Sequence, residues 1–182
     1  TGPWEHAEHV ARLLAMNVLA LVEQMDYSED GKLRVARETL SIPLRPITDE
    51  MRAEARKTLG DRSPHDPADG YSRDDVYARE LLLLDEDPEA VDTETQVIAL
   101  DDVAFVAMPG EMFAQFAVDL AEGSPFSTLF KIELANDYIG YVPTLRAFEE
   151  GSYETWFARS SKLVPEAGEM LMDGARRLMT SL

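Results

Sequence analysis

Two short runs of strand-forming residues, Thr95–Leu100 and Val103–Met108, are separated only by Asp101-Asp102. A connection that short leaves no room for a crossover, so the two runs pair antiparallel as a hairpin. Pro109-Gly110 ends the second strand, and Glu111–Glu122 continues with helical spacing. Ser127–Leu134 then reads as another buried strand. Strand, strand, helix, strand and a closing helix cannot make an all-helical bundle. The order predicts an α/β (α+β layered) fold, a mixed sheet with flanking helices.

The remaining segments fit that frame. Trp4–Met25 carries Val10, Leu13, Leu14, Val18, Leu21 and Val22 at helical spacing, with Glu5 and Glu8 suited to the positive helix end. Asp30-Gly31 is a turn, and Leu33–Leu44 alternates as a strand stopped by Pro43 and Pro46. Thr48 opens a short polar helix to Leu59, and Ser72 caps another that runs from Tyr71 to Leu84. Residues 60–70 (GDRSPHDPADG) read as a loop insert. Asn136–Thr144 reads as a loop, and Pro165–Leu182 as an amphipathic terminal helix.

Composition narrows the partners. The chain has 182 residues and a formal charge of −18, from 35 acidic against 17 basic groups. Without a basic face it has no means of releasing counterions from a nucleic-acid backbone, and an anionic membrane repels it. No apolar run reaches the roughly 18 residues of a membrane span. Absence of cysteine excludes disulfides and thiolate metal sites. Thr1-Gly2-Pro3-Trp4 reads as mid-protein sequence without a secretory signal, and the compartment stays unknown.

The residues able to do chemistry concentrate late in the chain. Glu111 follows strand–Pro–Gly, a place where α/β sheets build sites, although a helix N-terminus also favours a carboxylate there. Tyr138 and Tyr141 sit three apart in Asn136-Asp137-Tyr138-Ile139-Gly140-Tyr141. Their phenols suit either a metal or ordinary half-buried hydrogen bonds. His6 and His9, at i and i+3 on a helix, make a weak zinc pair, and His65 lies alone in the 60–70 loop. Ser160-Ser161 lacks the Gly-x-Ser-x-Gly elbow of a serine nucleophile.

Taken in order, Pro-Gly-Glu, Asn-x-Tyr-x-x-Tyr-Val-x-Thr and Tyr-Glu resemble the neutral/alkaline (non-lysosomal) ceramidase family. The resemblance is clearest from Ala99 to Trp156 and implies the C-terminal half of a catalytic domain, from a short bacterial or archaeal branch. It implies zinc held by two histidines, a glutamate matching Glu111 and a tyrosine matching Tyr141. It also implies a catalytic tyrosine at Tyr153, with Asn136, Asp137 and Tyr138 standing behind the ligands to fix the loop. The family's two zinc histidines fall upstream of Trp4, and neither His6 nor His9 matches them. Its Gly-Thr-Ser stretch has no counterpart between Ile47 and Tyr71, and its C-terminal immunoglobulin-like domain has none after Leu182.

The resemblance therefore implies a zinc-dependent hydrolase of amides, N-acyl-sphingosines or related compounds, inactive as residues 1–182 alone. Family members are often secreted or extracytoplasmic. The alternatives are a catalytically inactive ceramidase-like binding module or a stand-alone acidic interaction domain. In a half-domain, Val97–Met108 and Leu129–Leu134 are expected to lack sheet neighbours, and such edges favour self-association.

Overall fold

The computed structural model describes residues 2–182 and divides into two units, Thr1–Gly31 and Lys32–Leu182. The first unit holds one helix, α1 (Pro3–Val22). Pro3 suits a first turn that needs no donor, and the Glu5 carboxylate accepts the Gly2 N–H at 3.0 Å. The helix ends three residues before Met25. There the N–H groups of Gln24 and Met25 turn to the carbonyls of Leu21 and Val22, one residue short of the helical partner.

The second unit is built on a four-stranded sheet. β1 (Leu33–Pro43) pairs antiparallel with β2 (Ala90–Leu100), from Leu33 opposite Leu100 to Pro43 opposite Ala90. The hairpin expected across Asp101-Asp102 joins β2 to β3 (Val103–Ala107), and Asp101 takes φ +52° to close it. β3 then continues into β4 (Glu111–Met112) and α4 (Ala114–Ala121). The crossover returns β5 (Thr128–Ile132) parallel to β3, which makes the sheet mixed, in the order β1-β2-β3-β5. β2 begins five residues before the predicted Thr95. Val91–Glu94 is acidic and reads poorly as strand, yet pairing with all of β1 draws it in.

One face of this sheet is the core. Ile42, Val97, Ala99, Ala104 and Val106 are wholly buried there. They lie in one cluster with Leu171, Met172, Ala175 and Met179 of α6 (Ala167–Ser181) and with Phe116 and Leu120 of α4. Each fully buried Leu or Ile contributes about 1.5–3 kcal/mol.

The opposite face carries exposed apolar side chains. Val35, Ile98, Phe105 and Phe130 form one row in register across all four strands, and the rings of Phe105 and Phe130 stack at 5.0 Å. Val35, Ile98 and Phe130 are exposed, as are Leu33, Leu100 and Ile132 beside them. β5 is therefore not the buried strand expected of Ser127–Leu134; it lies at the sheet margin with one side open. β2 and β3, which include Val97, have strand neighbours on both sides, so the open margins are β1 and β5.

α2 (Asp49–Leu59) and α3 (Arg73–Leu84) pack on each other through Ala55, Leu59, Ala78 and Leu82. Thr48 caps the first, and Ser72 with Asp75 closes a reciprocal box on the second. Residues 60–70 contain neither helix nor strand. The sequence reading missed β6 (Tyr141–Val142), α5 (Leu145–Glu150) and a one-turn 3-10 helix over Tyr153–Thr155. Among the described residues no helix is long and apolar enough to cross a membrane.

Candidate functional site

Glu111 does not open a helix. It lies in β4, where its N–H donates to the Gly140 carbonyl at 2.9 Å, while the Phe113 N–H donates to the Val142 carbonyl at 3.2 Å. These bonds form a parallel ladder in which Glu111 is the register partner of Tyr141 and Met112 that of Val142. Competing strand bonds thus hold the first residues of the expected helix until α4 begins at Ala114. Register partners on neighbouring strands project to the same side, so the carboxylate and the phenol leave one face together.

Two glycines permit this approach. A Cβ on Gly110 would lie 2.7 Å from the Gly140 carbonyl oxygen, and one on Gly140 would lie 2.5 Å from that of Ser160. Gly140 also takes φ +91°, a conformation that side chains disfavour. The Tyr141 N–H donates to the Ser160 carbonyl at 2.8 Å, and the Ile139 N–H to the Pro109 carbonyl at 3.0 Å. The tyrosine loop is thereby laced to the Pro-Gly turn on one side and to residue 160 on the other.

The side chains complete the arrangement. Tyr138 Oη donates to Glu111 Oε1 at 3.1 Å. Burial, then the bond to Glu111 and its charge, push the Tyr138 phenol above its ordinary range, so it stays a donor. Asp137 accepts from the buried Thr93 hydroxyl at 2.8 Å and from the Tyr138 N–H at 2.7 Å, tying the loop to β2. Asn136, at φ +72°, donates to Gln96 Oε1 at 3.4 Å, a bond that anchors the loop and touches neither Glu111 nor Tyr141. The Tyr153 ring meets the Tyr141 ring edge to face, with centroids 5.6 Å apart. The Glu154 charge, then Tyr141, raise the Tyr153 phenol, which therefore also keeps its proton.

Glu133 was not legible as part of this cluster. It follows β5 directly; burial first, and then the Glu111 charge, push its carboxyl upward. Arg45 was missed as well. Its guanidinium donates to the Thr155 carbonyl at 2.9 Å and lies 4.4 Å over the Phe157 ring. It also bonds the Ser161 carbonyl, so one cation spans the turn behind Tyr153 and Ser160. Burial lowers this arginine to about 10, still charged at neutral pH.

The other candidates lie elsewhere. His6 and His9 are on α1, and His65 Nε2 is 3.1 Å from Glu86 Oε1. Ser160 serves through its backbone carbonyl, and the buried Ser161 hydroxyl donates to the Glu154 carbonyl. Among the described residues no three His, Cys, Asp or Glu side chains gather as a metal-binding group. Glu111 and Tyr141 offer two oxygen donors on one face, whereas catalytic zinc takes about three protein ligands.

No family model and no curated protein matches the chain. Among solved structures it is similar to a ceramidase complexed with C2 and to a neutral ceramidase from Pseudomonas aeruginosa. Each is 14% identical with a TM-score of 0.44, and each match covers 82% of this chain. The chain spans 31% and 29% of those two chains, less than a third of either length. A likeness at that level says nothing of chemistry here.

Proposed function

We propose that this chain is the C-terminal portion of a zinc-dependent amide hydrolase resembling the neutral ceramidases. The supporting observation is the register pairing of Glu111 with Tyr141, with Tyr138 bonded to the first and Tyr153 packed on the second. In this reading Glu111 and Tyr141 supply two zinc ligands, and histidines upstream of the sequence supply the others. Bound zinc supplies a Lewis acid that polarises an amide carbonyl and acidifies water.

The residues of this chain do the following. Tyr138, held protonated, donates to one Glu111 oxygen and fixes which oxygen is turned outward. Asp137 and Asn136 hold the backbone that carries Tyr138 and Tyr141. Tyr153, also protonated, donates a hydrogen bond to the oxygen that gains charge when the amide is attacked. The substrate is an amide, a lipid amide among the candidates. Self-association through the open β1 and β5 margins belongs to the same proposal.

Zinc analysis of the longest native gene product, beside amide hydrolysis by pure residues 1–182, tests the assignment. We expect zinc in the long form, its loss in Glu111→Ala and Tyr141→Phe, and no hydrolysis by the short chain. Unchanged zinc in both variants, or turnover by residues 1–182, overturns it.

A further inference from the structure

The chain leaving β1 is laced to residues 162–164. The Arg45 N–H donates to the Lys162 carbonyl at 2.9 Å, the Val164 N–H donates to the Pro43 carbonyl at 3.1 Å, and Leu44 bridges Leu163. The Arg45 side chain reaches further back along the same segment. Its Nη1 donates to the Thr155 carbonyl at 2.9 Å, and its Nη2 donates to the Ser161 carbonyl and, at 3.2 Å, to Ser161 Oγ.

These acceptors belong to two separate turns. Thr155 closes the 3-10 turn Tyr153–Thr155, whose first residue packs its ring on Tyr141. Ser161 follows Ser160, whose carbonyl takes the Tyr141 N–H at 2.8 Å. One guanidinium is thus bonded both to the turn that bears Tyr153 and to the turn on which Tyr141 hangs. The Ser161 hydroxyl reinforces the link. It accepts from Arg45, which leaves its own proton for the Glu154 carbonyl, in the middle of the Tyr153 turn.

Arginine is a costly choice at this place unless those bonds matter. The guanidinium lies 4.4 Å from the Phe157 ring centroid and 5.3 Å from that of Phe148, a slot where an apolar side chain also packs. Burial disfavours the charge, and Nε is buried without a partner. In a chain with 35 acidic residues, the side chain bonds carbonyls and a hydroxyl rather than a carboxylate. What offsets these costs is shape. A planar fork of donors reaches both turns at once, whereas the lysine ammonium is a compact point charge.

We propose that Arg45 is a positioning residue for Tyr153, holding its phenol at a fixed spacing from Tyr141. The catalytic purpose of that spacing rests on the hydrolase reading above, but the spacing itself needs no metal. Tyr141 has a second hold in its ladder with Glu111, so loss of the arginine moves Tyr153 and spares the pairing of Tyr141 with Glu111.

Nuclear Overhauser spectra of residues 1–182 with labelled tyrosine and glutamate test this. The parent chain should show cross-peaks between the Tyr141 and Tyr153 rings, and separate ones between Tyr138 and Glu111. Arg45→Lys, which keeps the charge, should lose the first set and keep the second. Ser161→Ala should weaken the first set only. Met179→Ala, in the buried cluster, is the control: it lowers stability and should keep both sets. Cross-peaks between the two rings that persist in Arg45→Lys, or that vanish equally in Met179→Ala, overturn the proposal. If Arg45→Lys loses its spectral dispersion, Ser161→Ala decides, and an unchanged ring contact there overturns it. Zinc in the long form beside an unchanged contact in Arg45→Lys sinks the role of Arg45 and leaves the hydrolase reading standing. Loss of the contact in a protein whose long form holds no zinc does the reverse.

Discussion

Glu111 and Tyr141 are register partners in a parallel ladder only two residues long, and the Gly140 carbonyl accepts the Glu111 N–H at 2.9 Å. A ladder so short has little strength of its own. It persists because Gly110 and Gly140 let the two backbones and the 160 turn approach within distances that exclude a Cβ. The glycines of the Pro-Gly-Glu and Tyr-Ile-Gly-Tyr segments thus do as much for the site as its charged residues.

Replacing Gly140 with alanine forces a side chain to φ +91° and against the Ser160 carbonyl. The expected loss is about 1–3 kcal/mol in urea unfolding. Amide exchange at Tyr141 should quicken at the same time. An unchanged unfolding midpoint contradicts the role given to this glycine.

Removing the Tyr138 hydroxyl with Tyr138→Phe leaves Glu111 Oε1 without its donor. Stability should fall by about 0.5–1.5 kcal/mol at most. Zinc affinity of the long form should fall by about tenfold or more, as for other groups that orient a ligand. Equal affinity, read by competition with a chelator, counts against Tyr138 as the residue that orients Glu111.

Glu133 gives a pH signature. Its folded-state carboxyl is raised, by burial first and Glu111 second, so the folded protein holds this proton more tightly than the unfolded chain does. Stability from this group is present below the ordinary glutamate range and is lost as pH rises through the raised value. Glu133→Gln should therefore raise the unfolding free energy at pH 7, by less than about 0.5 kcal/mol, and change little near pH 4. A variant less stable at pH 7 contradicts the repulsion between Glu133 and Glu111.

The two faces of the sheet should respond differently. Leu171→Ala, in the buried cluster under the sheet, should cost about 2–5 kcal/mol. Phe130→Ser, on the exposed face, should cost much less and should leave self-association through the β1 and β5 margins unchanged in sedimentation velocity. Association lost in Phe130→Ser shows that this face, not the open strand margins, joins the copies.

The hairpin across Asp101-Asp102, the caps at Thr48 and Ser72, and the terminal helix were legible because each depends on local chemistry. β4 and β6 were not, because each is two residues long and exists only through the other. The first half of β2 was hidden for a similar reason: Asp92 and Glu94 do not look like strand until β1 lies beside them. Glu111, Tyr138, Tyr141 and Tyr153 could be picked out by type and spacing, but the Tyr138–Glu111 bond and the crowding by Glu133 come from non-local pairing. The pairing of Arg159 with Glu80 joins the 158–160 turn to α3 across 79 residues and leaves no local signal.

Anomalous diffraction at the zinc edge, from crystals of the longest native form, tests the central assignment most directly. The expected result is one peak about 2.0–2.2 Å from a Glu111 carboxylate oxygen and from Tyr141 Oη. A zinc peak away from both residues, or none in protein purified with zinc present, contradicts it.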